Sequence, residues 1–169
     1  NDIFTITNQI RKLNKEIPII LMGYYNVIYY FGINKFIDQC KKNGVDGLII
    51  VDLQPEEDGE LLNELKKSDI SLIRLITPTT DESRLKLILK NATGFLYYVT
   101  VTGITGQKSA NMKDLKKSIT KIRNHSPLPI VAGFGIKNVK DVRDVCKIAD
   151  GAVVGSSIVK LVEKNQKNK

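Results

Sequence analysis

The sequence is poor in the residues that build metal centres and disulfide frameworks, with two cysteines and one histidine among 169 residues. Cys40 and Cys146 stand far apart, on separate helical patterns, and no CxxC or Cys/His spacing occurs. Neither a metal site nor a disulfide framework is expected. Both are read as small thiols facing a core, in keeping with a reducing cytoplasm. His125 precedes Ser126 and Pro127 and is placed at a helix end, where the imidazole suits the negative pole, rather than as a catalytic base. No apolar run approaches the roughly 18 residues that a membrane span needs. The opening NDIFTITNQIRKLNK lacks the zones of a signal peptide. With Asn1 in first place, the start is expected to be a cut through a longer chain. Arginine is scarce. The formal charge of +8, from 26 basic and 18 acidic residues, comes mostly from lysines spread over helical patterns, such as Lys41 and Lys42, Lys66 and Lys67, and Lys116 and Lys117. Only the tail LVEKNQKNK is locally dense. That distribution reads as solvated lysine faces, because nucleic-acid readers cluster their basic side chains. No P-loop, Ser-His-Asp set or metal cluster is visible.

What is present is an alternation. Short apolar runs at 17–22, 47–51, 72–76, 94–99, 129–132 and 151–154 are nearly continuous and rich in Ile and Val, as strands covered on both faces are. Helical patterns lie between them at 34–43, 55–67, 81–90, 112–124 and 138–147, with one more in front at 3–13. Pro55 followed by Glu56, Glu57 and Asp58 predicts a helix start, since proline tolerates the first turn and carboxylates favour its positive end. Asp81 and Asn138 are expected to cap their helices, and Asn43-Gly44 to close one through a left-handed residue. The pattern is βα repeated, with six strands and a helix in front, which implies a parallel sheet with right-handed crossovers. It fits either an open doubly wound sheet or a slice of an eight-stranded barrel. No linker or internal boundary interrupts residues 1–169, which read as one domain.

In both architectures ligands bind beyond the C-terminal ends of the strands. Gly133, Phe134 and Gly135 follow the fifth strand, and Gly155, Ser156 and Ser157 the sixth. Glycine lets backbone N–H groups approach an anion, and Gly155-Ser156 opens a short helix whose first N–H groups and dipole favour phosphate. Two such turns on successive strands predict a phosphate site. The irregular stretch 100–111, with Gly103 and Gly106 as pivots, is read as a lid. Asp52 is the one carboxylate directly at a strand end, and on residue chemistry alone it is the candidate acid or base. One carboxylate does not serve both roles readily, so the visible chemistry is incomplete.

The string GFLYYVTVTGITG (94–106) resembles the sixth strand and mobile loop of the tryptophan synthase alpha family. PIILMGYYN (18–26), GVDGLIIVDLQPEE (44–57), ITPTT (76–80), GFGI (133–136) and ADGAVVGSSIV (149–159) are similar to its other barrel segments, in the same order. The resemblance implies a partial (β/α)8 TIM barrel, roughly strands 3 to 8, forming a single incomplete domain over 1–169. It further implies a cytoplasmic lyase of tryptophan biosynthesis that cleaves indole-3-glycerol phosphate to indole and glyceraldehyde 3-phosphate by a retro-aldol route. The family needs no cofactor of its own and works in a heterotetramer with a pyridoxal-phosphate beta subunit. Carried over by position, Gly106, Phe134, Gly135, Gly155 and Ser156 hold the phosphate. Tyr97 and Tyr24 line the substrate pocket, and Thr105 closes the loop. Asn26, Asp52, Gln54 and Pro55 face the beta subunit, so the resemblance moves Asp52 from catalysis to the interface. Gln54 stands where the family usually has proline. The family's catalytic glutamate and aspartate match no position here; both would precede Asn1, which implies a chain inactive alone. The competing expectations are another phosphosugar barrel of isomerase type, and a non-catalytic module that binds phosphate esters or a partner.

Overall fold

The computed structural model describes residues 2–100, 112–133 and 135–166. The elements alternate as α1 (Asp2–Leu13), β1 (Ile20–Gly23), α2 (Tyr25–Phe31), α3 (Ile33–Asn43), β2 (Gly47–Ile50), α4 (Gly59–Leu65), β3 (Ser71–Ile76), α5 (Glu82–Leu89), β4 (Leu96–Val99), α6 (Met112–Arg123), β5 (Ile130–Gly133), α7 (Val139–Cys146), β6 (Gly151–Val153) and α8 (Ser156–Asn165). They fall into two compact units, Asn1–Arg74 with Lys90–Gly94, and Leu75–Leu89 with Phe95–Lys169.

In the first unit β1, β2 and β3 pair in parallel, with Leu21 opposite Leu48 and Leu48 opposite Leu72. Every residue of β2 is buried, as a strand covered on both faces requires. Leu48, Ile50 and Leu72 join Leu61 and Leu65 of α4 and Ile33, Ile37 and Cys40 of α3 in one apolar cluster. The α3 residues recur at the spacing that places them on one helical face. Phe4, Phe31 and Phe36 meet with ring centroids 5.6–6.3 Å apart and join α1, α2 and α3. In the second unit β4, β5 and β6 pair in parallel, with Tyr98 opposite Ala132 and Ala132 opposite Ala152. Leu96, Tyr98, Ile130 and Ala132 are buried on one face, while Tyr97, Val99, Val131 and Gly133 are half-buried on the other. Leu85 and Ile88 of α5, Leu115, Ile119 and Ile122 of α6, and Val145 of α7 are buried as well.

A single device recurs where strands begin. The Asp46 N–H donates to the Ile19 carbonyl (2.9 Å) while the Ile19 N–H donates to Asp46 Oδ2 (2.7 Å), and Arg11 pairs with the same carboxylate. In the second unit the Asp150 N–H donates to the Ile130 carbonyl (2.8 Å), the Ile130 N–H donates to Asp150 Oδ2 (2.8 Å), and Arg123 pairs with Asp150. Each aspartate precedes a strand-initial glycine, Gly47 or Gly151, and satisfies the entry to two neighbouring strands at once.

Several expectations need correction. Pro55 does not start α4: residues 55–57 form a turn, and the helix begins at Gly59 with Asp58 as its N-cap residue. The Asp58 carboxylate makes no capping bond, because it is drawn inward to Arg74. An additional helix, α2, occupies residues that showed no helical pattern. β4 starts at Leu96 because Gly94, at φ 72°, bends the chain before it. The helix expected after Gly155 is present and runs for ten residues. Cys40 is buried, but Cys146 is exposed at the end of α7 and does not face a core. The caps are as expected. Gly44 is left-handed at the end of α3, the Arg84 N–H donates to Asp81 Oδ1, and Asn138 and Asp141 form a reciprocal capping box.

Candidate functional site

The described candidate phosphate residues, Gly135, Gly155 and Ser156, belong to the second unit and follow β5 and β6. Tyr97 on β4 lies over Gly133 on β5: a Cβ at Gly133 would come within 2.7 Å of Tyr97 Oη and 2.8 Å of Cε2. Only glycine leaves room for the ring there. The Tyr97 phenol is pushed above its ordinary pKa by burial, so it stays protonated and able to donate. Beside it, the Thr100 N–H and hydroxyl both donate to the Gly133 carbonyl, at 3.2 and 2.9 Å. That holds the end of β5 to the point where the expected lid begins. The lid itself, with Gly106 and Thr105, and Phe134 all lie outside the described residues.

Gly135 is exposed and left-handed, at φ 58°, with nothing within 4 Å of its Cβ position. Gly155 is the N-cap residue of α8, at φ −111°, and the space beside it is open too. Ser156 follows, exposed, as the first residue of α8. The first N–H groups of a helix have no intrahelical acceptor. Ser157, which the sequence reading left out of the ligand set, supplies the link: its hydroxyl donates to the Ile136 carbonyl at 2.8 Å. That bond ties the loop after β5 to the first turn of α8. Backbone from Gly135 and the positive pole of a ten-residue helix are thus brought together, an arrangement suited to a phosphate. The recoverable signal for Ser157 was its place in the first turn after a glycine.

The candidate partner residues and Tyr24 belong to the first unit. Tyr24 is the exposed N-cap residue of α2 and makes no side-chain capping bond. The cap comes from elsewhere, because the Tyr25 N–H donates to Asp52 Oδ1 at 2.7 Å. Asn26 is exposed in the first turn of α2, Gln54 is exposed, and Pro55 is half-buried in the turn after β2. The Glu57 N–H closes that turn on the Gln54 carbonyl at 3.0 Å. The structure therefore connects Asp52 with the start of α2, as a backbone acceptor.

Two surface grooves lie away from both sets. One, of about 380 Å³, is lined by Phe4, Gln9 and Lys12 of α1 with Gln39 and Asn43 of α3. The other, of about 290 Å³, includes Asp46 and Ile70, at the starts of β2 and β3 and so at the opposite end from the strand tips. Among the described residues no cluster of His, Cys, Asp or Glu could hold a metal ion, and no helix is long and apolar enough to cross a membrane.

Comparison with known proteins gives this geometry its context. The family model for the tryptophan synthase alpha chain matches residues 1–169. The tryptophan synthase alpha subunit of Legionella pneumophila is 34% identical, with a TM-score of 0.88 over 99% of this chain and 61% of its own. The Campylobacter jejuni alpha subunit is 38% identical, with a TM-score of 0.83 over 94% of this chain and 63% of its own. A structure of the α2β2 tryptophan synthase complex of Pyrococcus furiosus contains a chain that is 32% identical, with a TM-score of 0.85 over 96% of this chain and 65% of its own. This chain thus spans a little over six-tenths of the length of these relatives. The fold is the partial (β/α)8 barrel that the resemblance implied, rather than an open doubly wound sheet. With the alternation of strands and helices, the glycine turns and the full-length family match in agreement, the chain belongs to the tryptophan synthase alpha family.

Proposed function

We propose that residues 1–169 form one incomplete barrel domain that supplies the phosphate-holding and partner-facing parts of a cytoplasmic tryptophan synthase alpha-type lyase. The substrate is indole-3-glycerol phosphate, cleaved to indole and glyceraldehyde 3-phosphate, and the partner is the pyridoxal-phosphate beta subunit. The observation that carries the reading is the Ser157 bond to Ile136, which joins the two glycine turns into one anion-ready surface. Gly135, Gly155 and Ser156 hold the phosphate through backbone and hydroxyl donors, with Gly106 and Phe134 completing the set. Tyr97 lines the pocket near the substrate and Tyr24 its indole side, and Thr105 closes the loop. Asn26, Asp52, Gln54 and Pro55 meet the beta subunit. Asp52 already accepts the Tyr25 N–H, which favours a positioning role over proton transfer. Retro-aldol cleavage needs one proton delivered and one removed, each step typically worth about 10²–10⁴-fold. The two carboxylates that the resemblance assigns to those steps match no position among these residues. The 169 residues alone are therefore expected to bind the ester without releasing indole.

Gly155→Asp tests the site with a side chain that has room. The φ at Gly155 is negative and nothing lies within 4 Å of its Cβ position. Circular dichroism of the variant should match that of the parent. By placing a negative charge where the phosphate sits, it should weaken indole-3-glycerol phosphate binding at least tenfold in calorimetric titration. Undiminished binding would overturn the assignment.

A further inference from the structure

One buried charged pair serves neither the phosphate surface nor the strand-start clamps. Arg74 sits in the middle of β3, among Leu72, Ile73, Leu75 and Ile76. Alternate strand residues share a face, so Arg74 points the way Leu72 does, toward the cluster containing Leu61 and Leu65 of α4. Ile73 takes the opposite face and approaches Gly47. Arg74 therefore lies in the helix layer. Its two terminal nitrogens both reach one segment: Nη2 pairs with Asp58 Oδ2, and Nη1 donates to the Leu53 carbonyl at 3.3 Å. Both side chains are almost fully buried.

The segment so held is the loop after β2. It carries four carboxylates in seven residues, Asp52, Glu56, Glu57 and Asp58, and the first three are exposed. Leu53 anchors the loop in the apolar core of the first unit, while the exposed carboxylates of Asp52, Glu56 and Glu57 repel one another. Its start is fixed by Asp52 on the Tyr25 N–H and by Arg74 at the Leu53 carbonyl, and its end by Arg74 at Asp58. A guanidinium can fork between a carbonyl and a carboxylate, whereas a lysine ammonium acts as a point charge.

We infer that Arg74, with Asp58, is a positioning residue for partner binding: it pre-forms the acidic 52–57 loop so that Asp52, Gln54 and Pro55 meet the beta subunit already ordered. The inference rests on the reading of that loop as partner-facing. Ordering a loop before association removes a cost that binding would otherwise carry.

The test compares the parent, the double variant Arg74→Met with Asp58→Leu, and Arg74→Lys. Each is measured for affinity to the beta subunit of the same organism, affinity for inorganic phosphate, and amide hydrogen exchange. The double variant removes both buried charges together, which preserves folding where a single removal would strand one. Expected are unchanged phosphate affinity, unchanged exchange in the strands, faster exchange confined to 52–57, and beta-subunit affinity weakened about tenfold or more. Arg74→Lys keeps a charge for Asp58 but loses the fork, and should show a smaller loss of the same kind. It keeps the comparison available if the double variant fails to fold. Parent-like beta-subunit affinity in either folded variant overturns the inference. A parent that does not bind the beta subunit overturns the partner-facing reading itself.

Discussion

The contact between Tyr97 and Gly133 offers a quantitative check on the geometry of the candidate site. A Cβ at residue 133 would stand 2.8 Å from Tyr97 Cε2 and 2.7 Å from Oη. Carbon atoms rest comfortably at about 3.5 Å, so Gly133→Ala forces the ring back by about 0.7 Å or shifts β5 by a similar amount. Overpacking of this size typically costs about 1–3 kcal/mol, a loss of roughly 2–12 °C in melting temperature for a chain of this length. In a Tyr97→Ala background the obstacle is gone. There the same substitution should be neutral, or gain up to about 0.5–1 kcal/mol from the lower backbone entropy of alanine. The assay is a double-variant cycle by denaturant unfolding: parent, each single variant, and both together. A coupling of at least about 1 kcal/mol is expected. Equal costs in the two backgrounds, within the roughly 0.3–0.5 kcal/mol scatter of independent sites, would refute the close approach of ring and glycine.

The two cysteines should differ sharply toward a thiol reagent at pH 8. Cys146 is exposed, whereas Cys40 is buried with its thiol pushed up to about 12, leaving a thiolate fraction on the order of 10⁻⁴; one thiol should react at once and the second only on unfolding, and two fast thiols would contradict the placement of Cys40. Asp150 is held below the ordinary carboxylate range by the Ile130 N–H first and by Arg123 second. Its contribution is present in full above the unfolded carboxylate value and is lost as pH falls through the lowered folded one. The stability gap between parent and Asp150→Asn should therefore be constant above about pH 5 and narrow below about pH 4; a gap unchanged in denaturation curves down to pH 2 would refute it.

The sequence was legible where the deciding interaction is local. Gly44, Asp81 and Asn138 read correctly as caps because each cap partner lies within a few residues. The strands read correctly because parallel strands with both faces covered leave an apolar run. The expectations that failed depended on distant groups. α2 was invisible because YYNVIYYF is aromatic and β-branched, and its first N–H is satisfied by Asp52, 27 residues away. The start of α4 was misplaced because the local preference of Pro55 for a first turn yields to Arg74, which draws Asp58 inward from another strand. Arg74 itself carried a signal that was missed, since an arginine inside an apolar strand must find a buried partner. Cys146 was assigned to a core by residue type alone, and α7 buries Val145 instead. Apolar periodicity likewise overstates burial in α1 and α8: Ile3, Ile6, Ile10 and Leu13, and Ile158, Leu161 and Val162, recur at helical spacing and are exposed. For the candidate site, the glycine turns were legible as a class, whereas the Ser157 tie that joins them was not.

The fold separates what keeps each unit together from what each unit offers. Asp46 with Arg11, and Asp150 with Arg123, clamp the starts of the strands. Tyr24 and Asp52 in one unit, and Gly135, Gly155 and Ser156 in the other, all follow strand ends. In barrels of this kind the strand-start face serves stability and the strand-end face serves chemistry, and residues of both units sort along that line. Arg74 departs from the division: it is a buried charge in the helix layer, yet its partners Leu53 and Asp58 belong to a strand-end loop. Buried ion pairs contribute little net stability over apolar replacements of the same volume. A pair at this location is therefore better explained by the shape it gives the 52–58 loop than by the stability it gives the core.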